Sequence, residues 1–307
     1  MILRTLAEVE NLVVATGLDR DALSLIVSEA LGEDLGGRGV LPPGTGAGLD
    51  VTSAATISAV ATSTGEFVAR GRGTVAGLSV AAYVVAVVCA PAGDFSVELR
   101  VADGAAVERG DVLAVVQGNT RALLTAERVA LNLLTLMSGV ATATRIWVDA
   151  LAGSRTRVRD SRKTMPGLRM LQKYAVRVGG GVNHRMSLAD AALIKDNHVI
   201  AAGGVVPAFR AVREAFPEIP VEVEVTTPEQ AHDVVAAGAR EILLDNMSSE
   251  QMHAVVTELG DRATFEASGG LTIEDAAAVA QTGVDYVAVG AITHSARILD
   301  IALDLLT

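Results

Sequence analysis

The chain has 307 residues and a formal net charge of −11 at pH 7; half of the residues are hydrophobic and only 3% are aromatic. A core of Ala, Val, Leu and Ile, with 30 glycines, indicates an α/β protein of one large or two ordinary domains. The acidic balance argues against a general nucleic-acid binder, and the single cysteine, Cys89, excludes an internal disulfide and a zinc cluster.

The first ninety residues predict helices and one loop. The start lacks the apolar core and cleavage site of a signal peptide, which favours a cytoplasmic protein. Helical spacing places Leu23, Ile26, Val27 and Leu31 on one face. A Gly/Pro-rich loop follows at 36–48. The uncharged stretch 74–93 is long enough to span a membrane, but its glycines and proline favour a buried helix.

The next segment predicts short strands and then a long helix. "EFVARGRGTVAG" and "FSVELRVADGAAVERGDVLAVVQG" have the composition of strands joined by glycine turns. The helix is expected to begin near Thr125, whose hydroxyl could cap it, with Arg128 in its first turns.

The last third alternates strands and helices at a regular interval. "VEVEV", "EILLD", "TFEAS" and "YVAVG" are each separated from the next by a helical segment. The strand-end residues Glu224, Asp245, Ser268 and Gly290 recur at intervals of about 22 residues, a length typical of parallel strands with crossover helices. This repetition favours a (β/α) barrel, and a doubly wound open sheet is the alternative.

Polar residues fall at the strand ends where barrels collect their chemistry. Glu222 and Glu224 share one face of their strand, so either salt bridges or a functional pair would account for them. The turns containing Gly269, Gly270 and Gly290 resemble backbone cradles for a phosphate.

The segment 155–185 is strongly basic, with nine Lys/Arg and one acid, Asp160. Some of these residues, such as Arg155 and Lys173, could be ordinary solvated charges. The triple glycine inside the run instead indicates several anionic groups held at close range. Lys195 ends a further apolar run, where it could form a Schiff base or pair with Asp196 or with a carboxylate across the barrel.

These motifs together resemble the quinolinate phosphoribosyltransferase family. "DVTSAATI", "AERVALNLLTLMSGVAT", "DSRKTMPGLRMLQKYAVRVGGGVNHR", "DAALIKDNHV", "EVEV", "ILLDNM", "EASGG" and "GVDYVAVGAITHS" occur in the family's order. No single motif is specific, but their order is. Two departures from many relatives are the insert at 36–48 and Val182 before Asn183.

The resemblance implies an α/β fold with an N-terminal α/β sandwich domain at 1–130 and an open seven-stranded α/β (TIM-like) barrel at 131–292. A C-terminal helix at about 293–307 would pack back on the first domain. It also implies a homodimer, with a higher assembly of dimers as an option, in which Arg128 is donated across the interface.

The implied reaction converts quinolinate and phosphoribosyl pyrophosphate to nicotinate mononucleotide, pyrophosphate and CO2 with Mg2+, as in de novo NAD biosynthesis. The expected catalytic residues are Lys163, Lys195, Glu224 and Asp245, of which the two acids would also bind Mg2+, partly through water. The quinolinate pocket would comprise Arg128, Arg162, His184, Arg185 and Lys195. Lys163 would lie nearby toward the phosphates, and Ser161 would also bind substrate. The 5′-phosphate would lie against Ser268, Gly269, Gly270, Val289, Gly290 and Ala291.

Three other functions fit parts of the sequence. A related phosphoribosyltransferase could act on another base or serve metal-cofactor uptake, and the barrel could be a Schiff-base lyase using Lys195 or Lys163. A non-catalytic metabolite-binding protein is disfavoured, because every expected polar position is filled.

Overall fold

The computed structural model describes residues 1–37 and 48–306, so most of the predicted Gly/Pro-rich loop at 36–48 lies outside the described residues. The described chain forms two compact units. The first contains 1–142, 166–179 and 296–307, and the second contains 143–165 and 180–295. The expected boundary at residue 130 lies inside a helix that continues from the first unit into the second.

Thirteen strands occur in the described residues, namely β1 (Ile2–Leu3), β2 (Thr62–Ala69), β3 (Gly73–Thr74), β4 (Ser96–Leu99), β5 (Ala106–Val107), β6 (Val112–Asn119), β7 (Arg157–Arg159), β8 (Ala192–Ile194), β9 (Val221–Val225), β10 (Glu241–Asp245), β11 (Thr264–Ser268), β12 (Tyr286–Ala288) and β13 (Ile301–Leu305).

Twelve α-helices occur in the same residues, namely α1 (Leu6–Ala15), α2 (Arg20–Asp34), α3 (Val51–Thr56), α4 (Leu78–Cys89), α5 (Thr120–Ala150), α6 (Arg169–Val178), α7 (Asp196–Ala202), α8 (Val205–Ala215), α9 (Pro228–Ala236), α10 (Ser249–Leu259), α11 (Ala276–Thr282) and α12 (Ala291–His294). Two 3-10 turns, Ala90–Ala92 and Ile273–Asp275, complete the regular structure.

The first unit is built on an antiparallel sheet in the order β1-β4-β6-β2-β13. Strands β2 and β6 are eight residues long and pair along their length from Thr62↔Asn119 to Val68↔Val112. Helix α1 begins at a capping box in which the Thr5 hydroxyl and the Glu8 carboxylate satisfy free backbone N–H groups.

The C-terminal segment corrects the prediction of a helix at about 293–307. Only the four-residue α12 is helical there, and β13 pairs antiparallel with β2, from Ile301↔Ala69 to Leu305↔Gly65. The segment forms a strand instead of a helix because of a non-local contact: β2 offers a free edge that the sequence around β13 does not reveal. The chain before β13 crosses α5 so closely that a Cβ at Gly139 would lie 2.9 Å from the Ile298 Cα atom.

The long helix also differs from its predicted start. It begins at Thr120, where the Asn119 side chain accepts a hydrogen bond from the Ala122 N–H. Thr125 therefore lies inside the helix, and its hydroxyl donates to the Arg121 carbonyl. Asn119, which ends β6, takes the capping role because the strand runs directly into the helix.

Two apolar helices have the length or the composition of a membrane-spanning segment. The uncharged stretch forms α4, which is buried over nearly its whole length, as expected of a core helix. Within the described ranges α5 is long and apolar enough to cross a membrane, but 61% of its most apolar window is buried. Core helices of globular proteins pass the same test.

The second unit is a parallel sheet in the order β7-β12-β11-β10-β9-β8, with α8 to α11 among its crossover helices. A parallel bridge between Arg159 and Val182 adds a seventh, one-residue position beside β7. In a flat sheet β7 and β9 would lie roughly 19 Å apart, four strand spacings. Arg159 Nη1 nevertheless lies 3.7 Å from the Glu222 carboxylate, so the sheet is rolled as the (β/α) prediction requires.

Candidate active site

The inner face of the rolled sheet carries the polar strand residues. Leu243 in β10 is in register with Glu224 in β9 and with Glu266 in β11, and Asp245 is in register with Ser268. Because side chains alternate along a strand, these residues point to one face. The apolar residues between them face the crossover helices and are buried. The carboxyl ends of β9 and β10 thus present the acids that the repeat predicted, and β11 ends at the predicted Ser268.

A cavity of about 270 Å³ opens beside these strand ends. It brings together five cationic or potentially cationic side chains that the sequence had pointed to, and its lining consists of Asp160, Ser161, Arg162, Lys163, His184, Arg185, Leu193, Lys195, Leu243, Glu266 and Ala288. The lining is therefore suited to a small, multiply negative ligand with an apolar face.

Asp160 links, through hydrogen bonds, the two segments that supply most of these cations. It is fully buried, and its carboxylate accepts hydrogen bonds from the His184 N–H at 2.9 Å and from Asn183 Nδ2 at 2.5 Å. The same junction is secured by the Val182 N–H, which donates to the Val158 carbonyl. The loop after β7 and the segment ending at Arg185 are consequently held side by side.

The basic segment does not act as a single patch. Helix α6, with Arg169, Lys173 and Arg177, belongs to the first unit, and Lys173 is fully buried instead of solvated. Arg155 forms an ion pair with Asp285 in the second unit while 59% of its side chain stays exposed.

Arg185 lies among like charges in the cavity lining. Burial, and then the positive charge of Arg162, lower the pKa of Arg185 from its ordinary value. Its Nη1 donates to the Ala191 carbonyl at 2.7 Å. Two guanidinium groups held at close range favour an anionic ligand, which would relieve their repulsion.

Lys195 pairs with the carboxylate at the end of the next strand. Its Nζ lies 3.1 Å from Glu224 Oε2, and the Asp196 N–H donates to Glu224 Oε1 at 3.4 Å. A Schiff-base lysine requires a desolvated amine or a neighbouring cation. The Lys195 side chain is instead 49% exposed and paired with a carboxylate. Of the alternatives for Lys195, this geometry favours the lysine paired with a carboxylate.

The acidic strand end of β10 adjoins the first glycine turn. Asn246 Nδ2 donates to Asp245 Oδ2 at 2.6 Å, and the Asn246 N–H donates to the Ser268 carbonyl at 3.0 Å. Gly269 has φ +110°, and a Cβ there would lie 2.7 Å from the Asn246 backbone nitrogen. Only glycine fits this position, which keeps the backbone after Ser268 close to the acidic end of β10.

The second predicted cradle, at Val289, Gly290 and Ala291, lies against Lys163. A Cβ at Gly290 would lie 3.1 Å from Lys163 Cδ, and the Thr293 hydroxyl donates to the Lys163 carbonyl at 2.8 Å. None of the six cradle residues, nor Glu224 or Asp245, lines the 270 Å³ cavity. Gly290 adjoins the cavity through Lys163, and Glu224 adjoins it through Lys195.

Arg159 and Glu266, which were not singled out from the sequence, form a buried ionic cluster under the cavity with Glu222 and His184. Arg159 Nη1 lies 2.7 Å from Glu266 Oε2, and His184 Nε2 lies 2.6 Å from Glu222 Oε2 and 4.0 Å from Glu266 Oε1. The Arg159 guanidinium also lies 4.2 Å from the centre of the Tyr286 ring. The only signal for Glu266 in the sequence was a charged residue at the centre of a predicted strand, "TFEAS".

The cluster holds more negative than positive charge when both glutamates are ionised. Burial raises the pKa of Glu222 to about 7, against the effect of Arg159. Burial and then the charge of Glu222 raise the pKa of Glu266 to about 7. For Arg159 burial acts in the opposite direction, but the Glu266 carboxylate offsets it and raises the pKa.

The residue types His184, Glu222 and Glu266 could ligate a metal, and their donor atoms lie within 4.8 Å of one another. Arg159 already supplies the positive charge at Glu266. By contrast, Glu224 and Asp245 lie at the strand ends, in neighbouring strands and on the same face. Carboxylate oxygens suit Mg2+, so the strand-end pair could hold that ion.

Arg128 is the one predicted pocket residue that lies in the first unit. It belongs to α5, its side chain is 61% exposed, and its Nη2 lies 3.8 Å from Glu127. All residues lining the cavity belong to the second unit. Donation of Arg128 by another subunit therefore stays a prediction.

Comparisons with known proteins cover nearly the whole chain. Residues 50–138 match the family model "Quinolinate phosphoribosyl transferase, N-terminal domain" and residues 140–304 match the corresponding C-terminal domain. A nicotinate-nucleotide pyrophosphorylase [carboxylating] from Mycobacterium leprae is 54% identical over 84% of this chain and 92% of its own length.

More distant relatives agree. A quinolinate phosphoribosyltransferase [decarboxylating] from Nicotiana glauca is 37% identical over 91% of this chain and 81% of its own length. The solved nicotinate-nucleotide pyrophosphorylase from Francisella tularensis superposes with a TM-score of 0.85 and is 34% identical, covering 93% of this chain and 96% of the other.

Proposed function

The chain belongs to the quinolinate phosphoribosyltransferase family, and from that premise we propose how its strand-end residues serve the reaction. The enzyme transfers a phosphoribosyl group from phosphoribosyl pyrophosphate to quinolinate with decarboxylation, yielding nicotinate mononucleotide, pyrophosphate and CO2. The observation that carries the assignment of the site is the single cavity shared by Arg162, Lys163, His184, Arg185 and Lys195.

The cavity is proposed to bind the pyridine diacid. Arg162, Arg185 and Lys195 would pair with its two carboxylates, with Ser161 and His184 beside them and Arg128 contributed by a partner subunit of a dimer. Charge-assisted hydrogen bonds of this kind fix orientation as well as affinity. They would place the ring nitrogen toward the strand ends, where the ribose is expected.

The strand ends and glycine turns are proposed to bind the phosphoribosyl group. Glu224 and Asp245 would meet the ribose hydroxyls and hold Mg2+, which would stabilise the departing pyrophosphate when bound. Lys163 would reach the phosphates, since it packs against Gly290. The two glycine turns would receive the 5′-phosphate through backbone N–H groups.

The chemistry then follows from placement. The pyridine nitrogen attacks the anomeric carbon as pyrophosphate leaves. The cationic ring nitrogen stabilises the electron pair left on C2 when CO2 departs, and C2 then takes up one proton to give nicotinate mononucleotide. The protein positions both substrates and excludes water, so no covalent lysine is required.

The test is pyrophosphate release with quinolinate as the base and nicotinate as the competing base. We expect release with quinolinate and little with nicotinate, because a missing carboxylate leaves buried cations unpaired. Comparable efficiency with nicotinate would contradict the assignment of the cavity to a diacid.

A further inference from the structure

We propose that Glu222 is a positioning residue for the base side of the reaction. It holds the imidazole of His184, and through it the backbone that carries Arg185, in the orientation that receives a carboxylate of quinolinate. The inference rests on the proposed function of the cavity and adds a residue that does not line that cavity.

The hydrogen bonds of His184 define its tautomer. The Arg185 N–H points at His184 Nδ1, with 2.7 Å between the nitrogens, so Nδ1 is an acceptor. The ring proton therefore lies on Nε2, which donates to Glu222 Oε2 at 2.6 Å. Both ring nitrogens are engaged, and the ring plane is fixed between a strand carboxylate and the backbone.

Hydrogen bonds to the backbone on both sides of the ring connect His184 to Arg185. The backbone on one side of the ring is held because the His184 N–H donates to Asp160. On the other side, the Arg185 N–H is held by the ring itself. Loss of the Glu222 hydrogen bond would free the ring to rotate and would leave the Arg185 N–H without that acceptor. The guanidinium of Arg185 would then lose part of its preorganisation.

Glu222 can act as a buried carboxylate because Arg159 lies beside it. Glu222 is 4% exposed, and Arg159 Nη1 lies 3.7 Å from its Oε1 atom. The same guanidinium binds Glu266 Oε2 at 2.7 Å. One buried cation thus serves two carboxylates, and Glu222 keeps its second oxygen for His184.

The position of Glu222 along its strand predicts which substrate is affected by its loss. His184 lines the cavity assigned to the diacid. Glu224, two residues further along the strand, instead pairs with Lys195 at the strand end assigned to the ribose. A positioning role therefore predicts a loss on the quinolinate side alone. A purely structural role predicts equal effects on both substrates.

The experiment compares Glu222→Ala with Glu222→Gln in the full-length enzyme. Glu222→Ala removes the acceptor for His184 Nε2–H, and we expect quinolinate Kd and KM to rise about ten-fold or more. Glu222→Gln keeps an acceptor oxygen, so quinolinate binding should stay within about three-fold of the starting enzyme. The KM for phosphoribosyl pyrophosphate should change less than about two-fold in both variants.

The matched control is Glu241→Ala, the register partner of Glu222 in the adjacent strand, which does not line the cavity. It should leave quinolinate binding unchanged. In a His184→Ala background, Glu222→Ala should have little additional effect, since coupled residues are not additive. If Glu222→Ala does not fold, Glu222→Asp replaces it, because the shorter side chain also withdraws the oxygen from His184.

Each remaining outcome overturns the inference. These are unchanged quinolinate binding in folded Glu222→Ala, equal losses in the Ala and Gln variants, a parallel rise in the KM for phosphoribosyl pyrophosphate, or additive effects with His184→Ala. Failure of the proposed function is distinguishable, because the unmodified enzyme would then lack quinolinate-dependent pyrophosphate release.

Discussion

Removal of the buried guanidinium should destabilise the second unit in a pH-dependent way. The perturbation is Arg159→Met, which retains an apolar chain of similar reach and deletes the positive charge next to Glu222 and Glu266. Removing one partner of a buried ion pair typically costs about 3–5 kcal/mol. We expect a loss of that size in the free energy of unfolding at pH 8.

The loss should be smaller in mild acid. Burial raises the pKa of both glutamates to about 7, above the ordinary glutamate value of 4.5. The folded state therefore binds protons more tightly, and these groups lower stability as the pH rises from 4.5 toward 7.

With Arg159 present, a carboxyl of pKa about 7 can still ionise by pH 8, which is worth about 1.4 kcal/mol. Without it, the pKa rises further and that gain is lost. The destabilisation at pH 8 should therefore exceed that at pH 5.5 by about 1.4 kcal/mol for one carboxyl and about 3 kcal/mol for two.

The assay is urea unfolding at pH 5.5 and pH 8, followed by the fluorescence of Trp147. This is the only tryptophan of the chain; it is buried and belongs to the second unit. Arg155→Met is the control, since it breaks an exposed ion pair with Asp285 and should cost at most about 1 kcal/mol at either pH. Equal losses at the two pH values for Arg159→Met, or a loss no larger than the control, would refute the reasoning.

Three further predictions concern the substrates. Arg162→Ala should weaken quinolinate binding about ten- to a hundred-fold, measured by calorimetry without Mg2+. Asp245→Asn should leave that binding intact and impair the use of phosphoribosyl pyrophosphate. The reverse pattern would show that the assignments of the two substrates to the two sides of the site are wrong. Mixed Arg128→Ala and Lys195→Ala subunits should regain activity if sites are shared between subunits, and no recovery despite demonstrated subunit exchange would place each site in one chain. Gly269→Ala should raise the KM for phosphoribosyl pyrophosphate at least several-fold in steady-state assays, because its Cβ meets the Asn246 backbone; an unchanged KM would remove this turn from the phosphate site.

Local pattern was sufficient for the repeating part of the fold. The strands β9 and β11 alternate polar and apolar residues, β10 is an apolar run that ends at Asp245, and α9 and α10 begin beside the predicted positions, at Pro228 and Ser249. Period-two alternation and helix caps act over a few residues, so one sequence contains them. The same patterns placed Glu224 and Asp245 at strand ends.

Non-local pairing accounts for what the sequence did not predict. Segment 301–305 is a strand because β2, more than two hundred residues earlier, lies beside it. Arg159 and Glu266 meet because β12, which follows both residues in the chain, pairs between β7 and β11 and so places these strands two positions apart. Neither partner is visible from the residues around the other.

The pairing of β13 with β2 also has a consequence for biosynthesis. During translation β2 and β6 can pair once Asn119 has emerged, but the other edge of β2 stays open until Leu305 follows. At 5–20 residues per second, the intervening roughly 190 residues take about 10–40 s to synthesise. Throughout that interval the nascent chain presents an eight-residue edge strand to its surroundings. The ribosome and its chaperones would have to shield that edge until the last strand arrives.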